Sequence, residues 1–125
     1  MMSGIRSKHT KPEVSVRSFL HRRGLRFRLH AHNLPGKPDV VLPKYRAVVH
    51  VHGCFWHRHR RCRFAYTPTS NRSFWVTKLE GNVERDKRID RALRGLGWKP
   101  ITIWECEVDN VNLLQNLVNR IRAST

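Results

Sequence analysis

All the cysteines of this chain fall where one ion could gather them. Cys54 and Cys62 frame His59 within nine residues, and the third cysteine, Cys106, ends the last β-rich run. Zinc takes four soft or borderline ligands in a tetrahedron, and a loop carrying three of them can close against a strand end carrying the fourth. Three cysteines cannot all pair within the chain, and a reducing compartment disfavours disulfides in any case. A closed Cys3His site leaves no position for water, so its zinc would hold the loop without performing chemistry. His57 is an alternative ligand to His59. The competing account makes Cys106 a buried apolar residue and the other two incidental thiols.

Around this loop the periodicity predicts the element order αβββαβα. Thr10-Lys11-Pro12-Glu13 is a capping box opening a helix that runs to about Gly24, with Val16, Phe19 and Leu20 at helical spacing. Leu25, Phe27 and Leu29 alternate as a short strand. Asp39–Leu42 and Ala47–His52 are β-rich and separated by Pro43-Lys44-Tyr45-Arg46, which reads as a hairpin turn. A long basic helix is expected from Phe74 to about Leu96, stopped by Gly97, then a strand from Trp98 to Trp104 and an amphipathic helix over Val111–Ile121. Helices before and after a mixed sheet make an α/β sandwich. No repeat, low-complexity segment or linker divides the chain, so residues 1–125 are expected to fold as one domain.

Charge points to the partner. Twenty-five Lys and Arg against 9 Asp and Glu give a formal charge of +16, well beyond the magnitude of about 2–8 that keeps a small domain soluble. The basic residues are spread along the chain with aromatics among them, which favours nucleic acid over a membrane-surface helix. No run approaches the ~18 apolar residues of a membrane span, and the start MMSGIRSKHTKPE lacks the apolar core of a signal peptide, so a cytoplasmic location is expected.

With so few acids, Glu13, Asp39, Glu84 and Asp86 stand out, although surface pairing with Arg or Lys is the ordinary role of such residues and the preferred one for Glu84. If Leu42 pairs with Ala47, Asp39 lies opposite His50 and diagonal to His52 on one face. An Asp among neutral imidazoles can hold a hard divalent cation while the histidines address phosphate, which is equipment for phosphodiester hydrolysis. His57, on the same loop as His59, is of the residue type that most often serves as a general base.

The runs Val51-His52-Gly53-Cys54-Phe55-Trp56-His57-Arg58-His59, Gly81-Asn82-Val83-Glu84-Arg85-Asp86 and Trp104-Glu105-Cys106 resemble the very-short-patch-repair endonucleases. With Lys11-Pro12-Glu13 and Leu34-Pro35-Gly36-Lys37-Pro38-Asp39, the match spans about residues 4 to 107 in the family's order. The resemblance implies a restriction-endonuclease-like fold and a magnesium-dependent nick 5′ to the mispaired T of a T:G mismatch, left when 5-methylcytosine deaminates. It implies Asp39 and the backbone carbonyl of Val51 as Mg2+ ligands, His57 as general base supported by Glu13, and His52 and Asp86 acting through metal-bound water or phosphate. It implies Cys54, His59, Cys62 and Cys106 as structural Zn2+ ligands, and Phe55, Trp56 and Trp75 as an aromatic wedge entering the DNA stack, at a cost of a few kcal/mol per unstacked step. Trp98 and Trp104, on a strand expected to be buried, read as core.

Two departures accompany it. Restriction-type nucleases usually carry an acid and a Lys on the second strand, where this chain has His50 and His52, though the repair family shares the His52 position. Family members also usually have a further basic segment before the region matching Ser3-Gly4-Ile5-Arg6, so DNA affinity and mismatch preference are what the resemblance secures least. The expectation is a monomer acting on double-stranded DNA in the cytoplasm, at the nucleoid. Two rivals stand beside it: a non-catalytic zinc module that binds DNA, and a nicking nuclease without mismatch specificity.

Overall fold

The computed structural model describes residues 11–29, 31, 33–59, 62 and 64–123. Helix α1 (Lys11–Arg22) leads to strand β1 (Arg28–Leu29), and β2 (Val40–Leu42) and β3 (Ala47–His52) follow. Helix α2 (Arg72–Gly95), strand β4 (Lys99–Trp104) and helix α3 (Val111–Arg122) complete the order. The sheet runs β1-β2-β3-β4, the first two pairings antiparallel and β3–β4 parallel. The mixed sheet expected from the sequence is therefore present, with α2 as the crossover that a parallel pair requires.

Strand alternation sorts the side chains into two layers. Val40, Leu42, Ala47, Val49, Ile101 and Ile103 face α1 and α3, meeting Val16, Phe19, Leu20, Leu117, Val118 and Ile121. Val41 and Val48 face the other way, against Leu93 and Ile89 of α2. Continuing the same period along β3 puts His50 and His52 on the α2 side. At roughly 25 cal/mol per Å2 of apolar surface, each fully buried Leu or Ile of the larger cluster contributes about 2 kcal/mol.

Ends are set by local chemistry. Gly24 at φ 79° closes α1, where Leu25 N–H reaches Leu20 O at 3.1 Å, and Gly97 at φ 90° does the same for α2, where Trp98 N–H reaches Leu93 O at 3.0 Å. Both are left-handed positions where a side chain would be strained. Asn110 caps α3 by accepting the Leu113 N–H at 3.1 Å. Thr10, the expected cap of α1, lies outside the described residues; Pro12 and Glu13 do stand in the first turn.

Two expectations change, and the expected hairpin turn takes a specific form. Of the strand predicted across Leu25, Phe27 and Leu29, only Arg28 and Leu29 pair, because Leu25 and Phe27 are drawn into the core as the chain climbs from α1 to the sheet edge. Helix α2 begins at Arg72 rather than Phe74. The turn after β2 is one 3-10 turn ending in Arg46 at φ 51°, whose guanidinium lies 4.3 Å over Trp98 and donates to Leu96 O at 2.9 Å, tying the hairpin to the α2–β4 corner.

Candidate active site and metal centre

The carboxyl ends of the parallel strands β3 and β4 open at one edge, where α/β sheets characteristically place their ligands. From β3 the chain passes Gly53 into a tight loop in which His57 N–H bonds Gly53 O and His59 N–H bonds Cys54 O, each at 3.1 Å. Glu105, just past β4, accepts the Cys54 N–H at 3.2 Å.

This closure gathers Cys54, His59, Cys62 and Cys106, whose donor atoms all lie within 4.8 Å of one another and could hold a metal ion. The Sγ atoms of Cys54 and Cys106 lie 3.7 and 3.4 Å from His59 Nδ1. Burial pushes the Cys54 thiol up to about 12, and burial also raises Cys106. Backbone N–H groups of Phe64 and Ala65, with the neighbouring thiols, hold Cys62 below the usual thiol range. His57, the alternative fourth ligand, points elsewhere.

His57 Nδ1 lies 2.6 Å from Asp86 Oδ2 on α2, and its ring stacks on His52 with centroids 3.8 Å apart and planes 5° apart. His52, His57 and Asp86 likewise bring their donors within 4.8 Å of one another. Burial, with the nearby His57, holds His52 down at about 3, so its imidazole is neutral. Burial pushes the Asp86 carboxyl up, but the hydrogen bond and charge of His57, with His52 and His50, outweigh it and leave Asp86 below the ordinary range. His50 is 6% exposed, 3.9 Å from Asp90, and lowered chiefly by burial. Among the described residues, neither His50 Nε2 nor His52 Nδ1 has a hydrogen-bond partner.

The register expected for the hairpin, Leu42 opposite Ala47, is present, and its continuation leads to Asp39 and His50. The β2–β3 ladder ends at Val40 and Val49, and the Asp39 carboxylate turns to accept the Val51 N–H at 2.7 Å, because a strand-end amide needs an acceptor. Burial, reinforced by the Glu13 carboxyl beside it, pushes Asp39 up to about 7, against the opposing pull of the Val51 amide and His57. Glu13 is itself 5% exposed on α1. Two carboxyls crowded in a desolvated corner are stabilised together by a hard divalent cation, so this donor set fits one. Glu84 behaves as the surface residue expected, 3.5 Å from Lys87.

Phe55, Trp56 and Trp75 form one aromatic cluster, with Phe55–Trp56, Phe55–Trp75 and Trp56–Trp75 centroids 5.0, 5.6 and 5.9 Å apart. Tyr66 and Phe74, not singled out from the sequence, extend it and are 60% and 59% exposed. Asn82 of α2 donates to Trp56 O at 3.0 Å, fixing the loop that carries the patch. Phe74 had a signal in its adjacency to Trp75; Tyr66 had none.

Trp98 packs partly against the smaller core cluster, as read, but Trp104 does not belong to the core. It is half-buried, stacks on His59 at 4.2 Å and 8°, and meets His52 at 5.3 Å and 74°, because the core ends at Ile103 and the last residue of β4 projects into the site.

Comparison with known proteins gives the chain its relatives. The family profile described as DNA mismatch endonuclease Vsr matches residues 1–63. The type II nicking enzyme V.XorIIP of Xanthomonas oryzae pv. oryzae is 46% identical over 121 residues, covering 97% of this chain and 88% of that protein. The DNA mismatch endonuclease Vsr of Escherichia coli is 42% identical over 105 residues, covering 84% of this chain and 67% of that one. In structure, the catalytic domain of the homing endonuclease I-Bth0305I superposes with a TM-score of 0.63 at 18% identity, over 90% of this chain and 94% of that domain, a likeness of fold.

Proposed function

Because this chain belongs to the family of the DNA mismatch endonuclease Vsr, and is thereby a DNA endonuclease, we propose that it nicks double-stranded DNA 5′ to the mispaired T of a T:G mismatch, with Mg2+ for catalysis and Zn2+ to hold its loop. The rival of a non-catalytic DNA-binding module falls with membership of an endonuclease family.

The observation that carries the reading is the 2.6 Å bond between His57 and Asp86. A carboxylate is acceptor-only, so Nδ1 of His57 carries the proton and Nε2 is left free to take one. His57 then accepts the proton of the attacking water at Nε2, while the new bond to phosphorus forms, the ester bond to the leaving sugar oxygen breaks, and that oxygen takes a proton from solvent water to leave as a hydroxyl. His52, neutral and stacked on His57, holds that ring in plane and presents its own nitrogen toward phosphate. Asp39, steadied by the Val51 amide, would hold Mg2+ together with the Val51 carbonyl, and Glu13 supports the corner. When bound there, Mg2+ supplies positive charge where the phosphate gains negative charge.

Zinc suits the second centre. Bonds of about 2.3 Å to sulfur and 2.0 Å to nitrogen at a tetrahedral angle put the two donors about 3.5 Å apart, against the 3.7 and 3.4 Å found to His59 Nδ1. Phe55, Trp56 and Trp75 form the wedge that enters the stack beside the mismatch, where a T:G pair lowers the cost of opening. The protein works as a monomer and as one domain over residues 1–125, on DNA in the cytoplasm. Among the described residues no helix is long and apolar enough to cross a membrane.

A duplex carrying one T:G mismatch and its matched T:A control, each with Mg2+ or EDTA, tests the proposal. Mg2+-dependent cleavage of the T strand alone is expected. Equal cleavage of both duplexes would remove the mismatch specificity, an arm that matters because some relatives are named type II nicking enzymes. Binding without cleavage in Mg2+ would remove the mechanism.

A further inference from the structure

Four aromatic rings run in continuous contact from His57 to the Cys/His cluster. His57 stacks on His52 at 3.8 Å and 5°, His52 meets Trp104 at 5.3 Å and 74°, and Trp104 stacks on His59 at 4.2 Å and 8°. The middle of the row is built into the sheet, since His52 and Trp104 are partners in the parallel β3–β4 ladder. The outer two rings, His57 and His59, both ride on the loop that leaves β3. That loop is tied at the cluster and, through His57, to Asp86 on α2.

We infer that Trp104 is a positioning residue for strand cleavage, its indole carrying the loop geometry set at the Cys54–His59–Cys62–Cys106 cluster to His52 and through it to His57. The flat face matters here. A residue that merely filled space would lie in a core cluster, whereas Trp104 lies in neither and presents a plane parallel to an imidazole on one side and crossed with another. Imidazole–indole contacts of these geometries have directional preferences that an aliphatic side chain of similar size lacks. A base displaced by about 1 Å loses on the order of a hundredfold in rate, so partial release of His57 is expected to cost about tenfold.

The inference rests on His57 as the general base, and the test separates the two. Trp104→Phe and Trp104→Leu are prepared in the full chain with zinc bound, and single-turnover cleavage of the T:G duplex, duplex affinity, zinc content and the His57 Cε1–H resonance are measured. Expected are one zinc per chain and unchanged duplex affinity in both, a rate about tenfold lower in the Leu variant, and a Phe variant near the parent. The His57 resonance should move in the Leu variant although, among the described residues, the ring contacts run from Trp104 to His57 through His52. Equal rates in all three proteins, a loss explained by weaker DNA binding, or loss of zinc or folding in the Leu variant would each overturn it. If the parent leaves the T:G duplex intact, the proposed activity on that duplex has failed, and an unmoved His57 resonance in the Leu variant would still reject positioning by Trp104.

Discussion

His57 Nδ1 lies 2.6 Å from Asp86 Oδ2, a bond that joins the loop after β3 to the middle of α2. A carboxylate only accepts, so the bond calls for a proton on Nδ1, and it steers the ring by a group on a different element. Asp86→Asn keeps the shape but offers an amide that can donate as well as accept, so the proton can move to Nε2 and occupy the basic site. Cleavage should fall about a hundredfold or more in single-turnover assays, with duplex affinity and zinc content unchanged. A rate within threefold of the parent would show that Asp86 does not set the tautomer of His57.

Much of this site was legible because the relevant patterns are local. Alternation across Val40–Leu42 and Ala47–His52, interrupted by Pro43–Arg46, foretold the register in which Leu42 faces Ala47, and period two alone put His50 and His52 on one face. The cysteines could be grouped because thiols with a neighbouring His have few other uses. What could not be read depends on distances across the fold. Nothing near His57 announces Asp86, which reaches it only because the β3–α2 crossover folds back. Asp39 was placed by strand geometry, which tells nothing of the amide its side chain answers where the ladder stops. Trp104 was read as core because a strand pattern tells which residues alternate and not where the covering helices end.

Cys106→Ala tests the second centre. Cys54 carries its thiol up at about 12 without metal, so a bound ion must displace protons from buried sulfur, and its binding energy is folding energy for the loop. The variant should retain well under one zinc per chain and melt at least about 10 °C lower than the zinc-loaded parent. Stripping the parent with a chelator should bring its Tm down to that of the variant. A variant that keeps its metal and its Tm would mean that Cys106 is not a ligand.

Trp56, 42% exposed and 5.9 Å from Trp75, is held at its backbone by Asn82 and not by burial. Its removal should therefore cost little stability. Stacking of a base on an aromatic ring contributes about 1–3 kcal/mol, so Trp56→Ala should weaken binding to the T:G duplex about tenfold. Binding to the matched duplex, governed by phosphate contacts, should hardly change. Equal weakening on both duplexes would make Trp56 a general DNA contact and not part of a mismatch wedge.

Asp39 should show opposite signs in activity and stability. Its carboxyl is raised from 3.8 to about 7, by burial first and Glu13 second. An acid whose folded pKa exceeds its unfolded one stabilises the fold below the unfolded value, and that stabilisation is lost as pH rises through the folded value. In Mg2+-free buffer the parent should therefore lose stability relative to Asp39→Asn as pH rises from about 5.5 to about 8, and the zinc centre, common to both, cancels from the difference. The amide can still accept the Val51 N–H, so the variant should fold normally, melting at or above the parent at the alkaline end. Cleavage should nevertheless be abolished, and added Mg2+ should raise the Tm of the parent alone, most strongly at high pH where no proton competes. A Tm gap that does not change with pH would refute the crowded-carboxyl account, and retained cleavage would remove Asp39 from the mechanism.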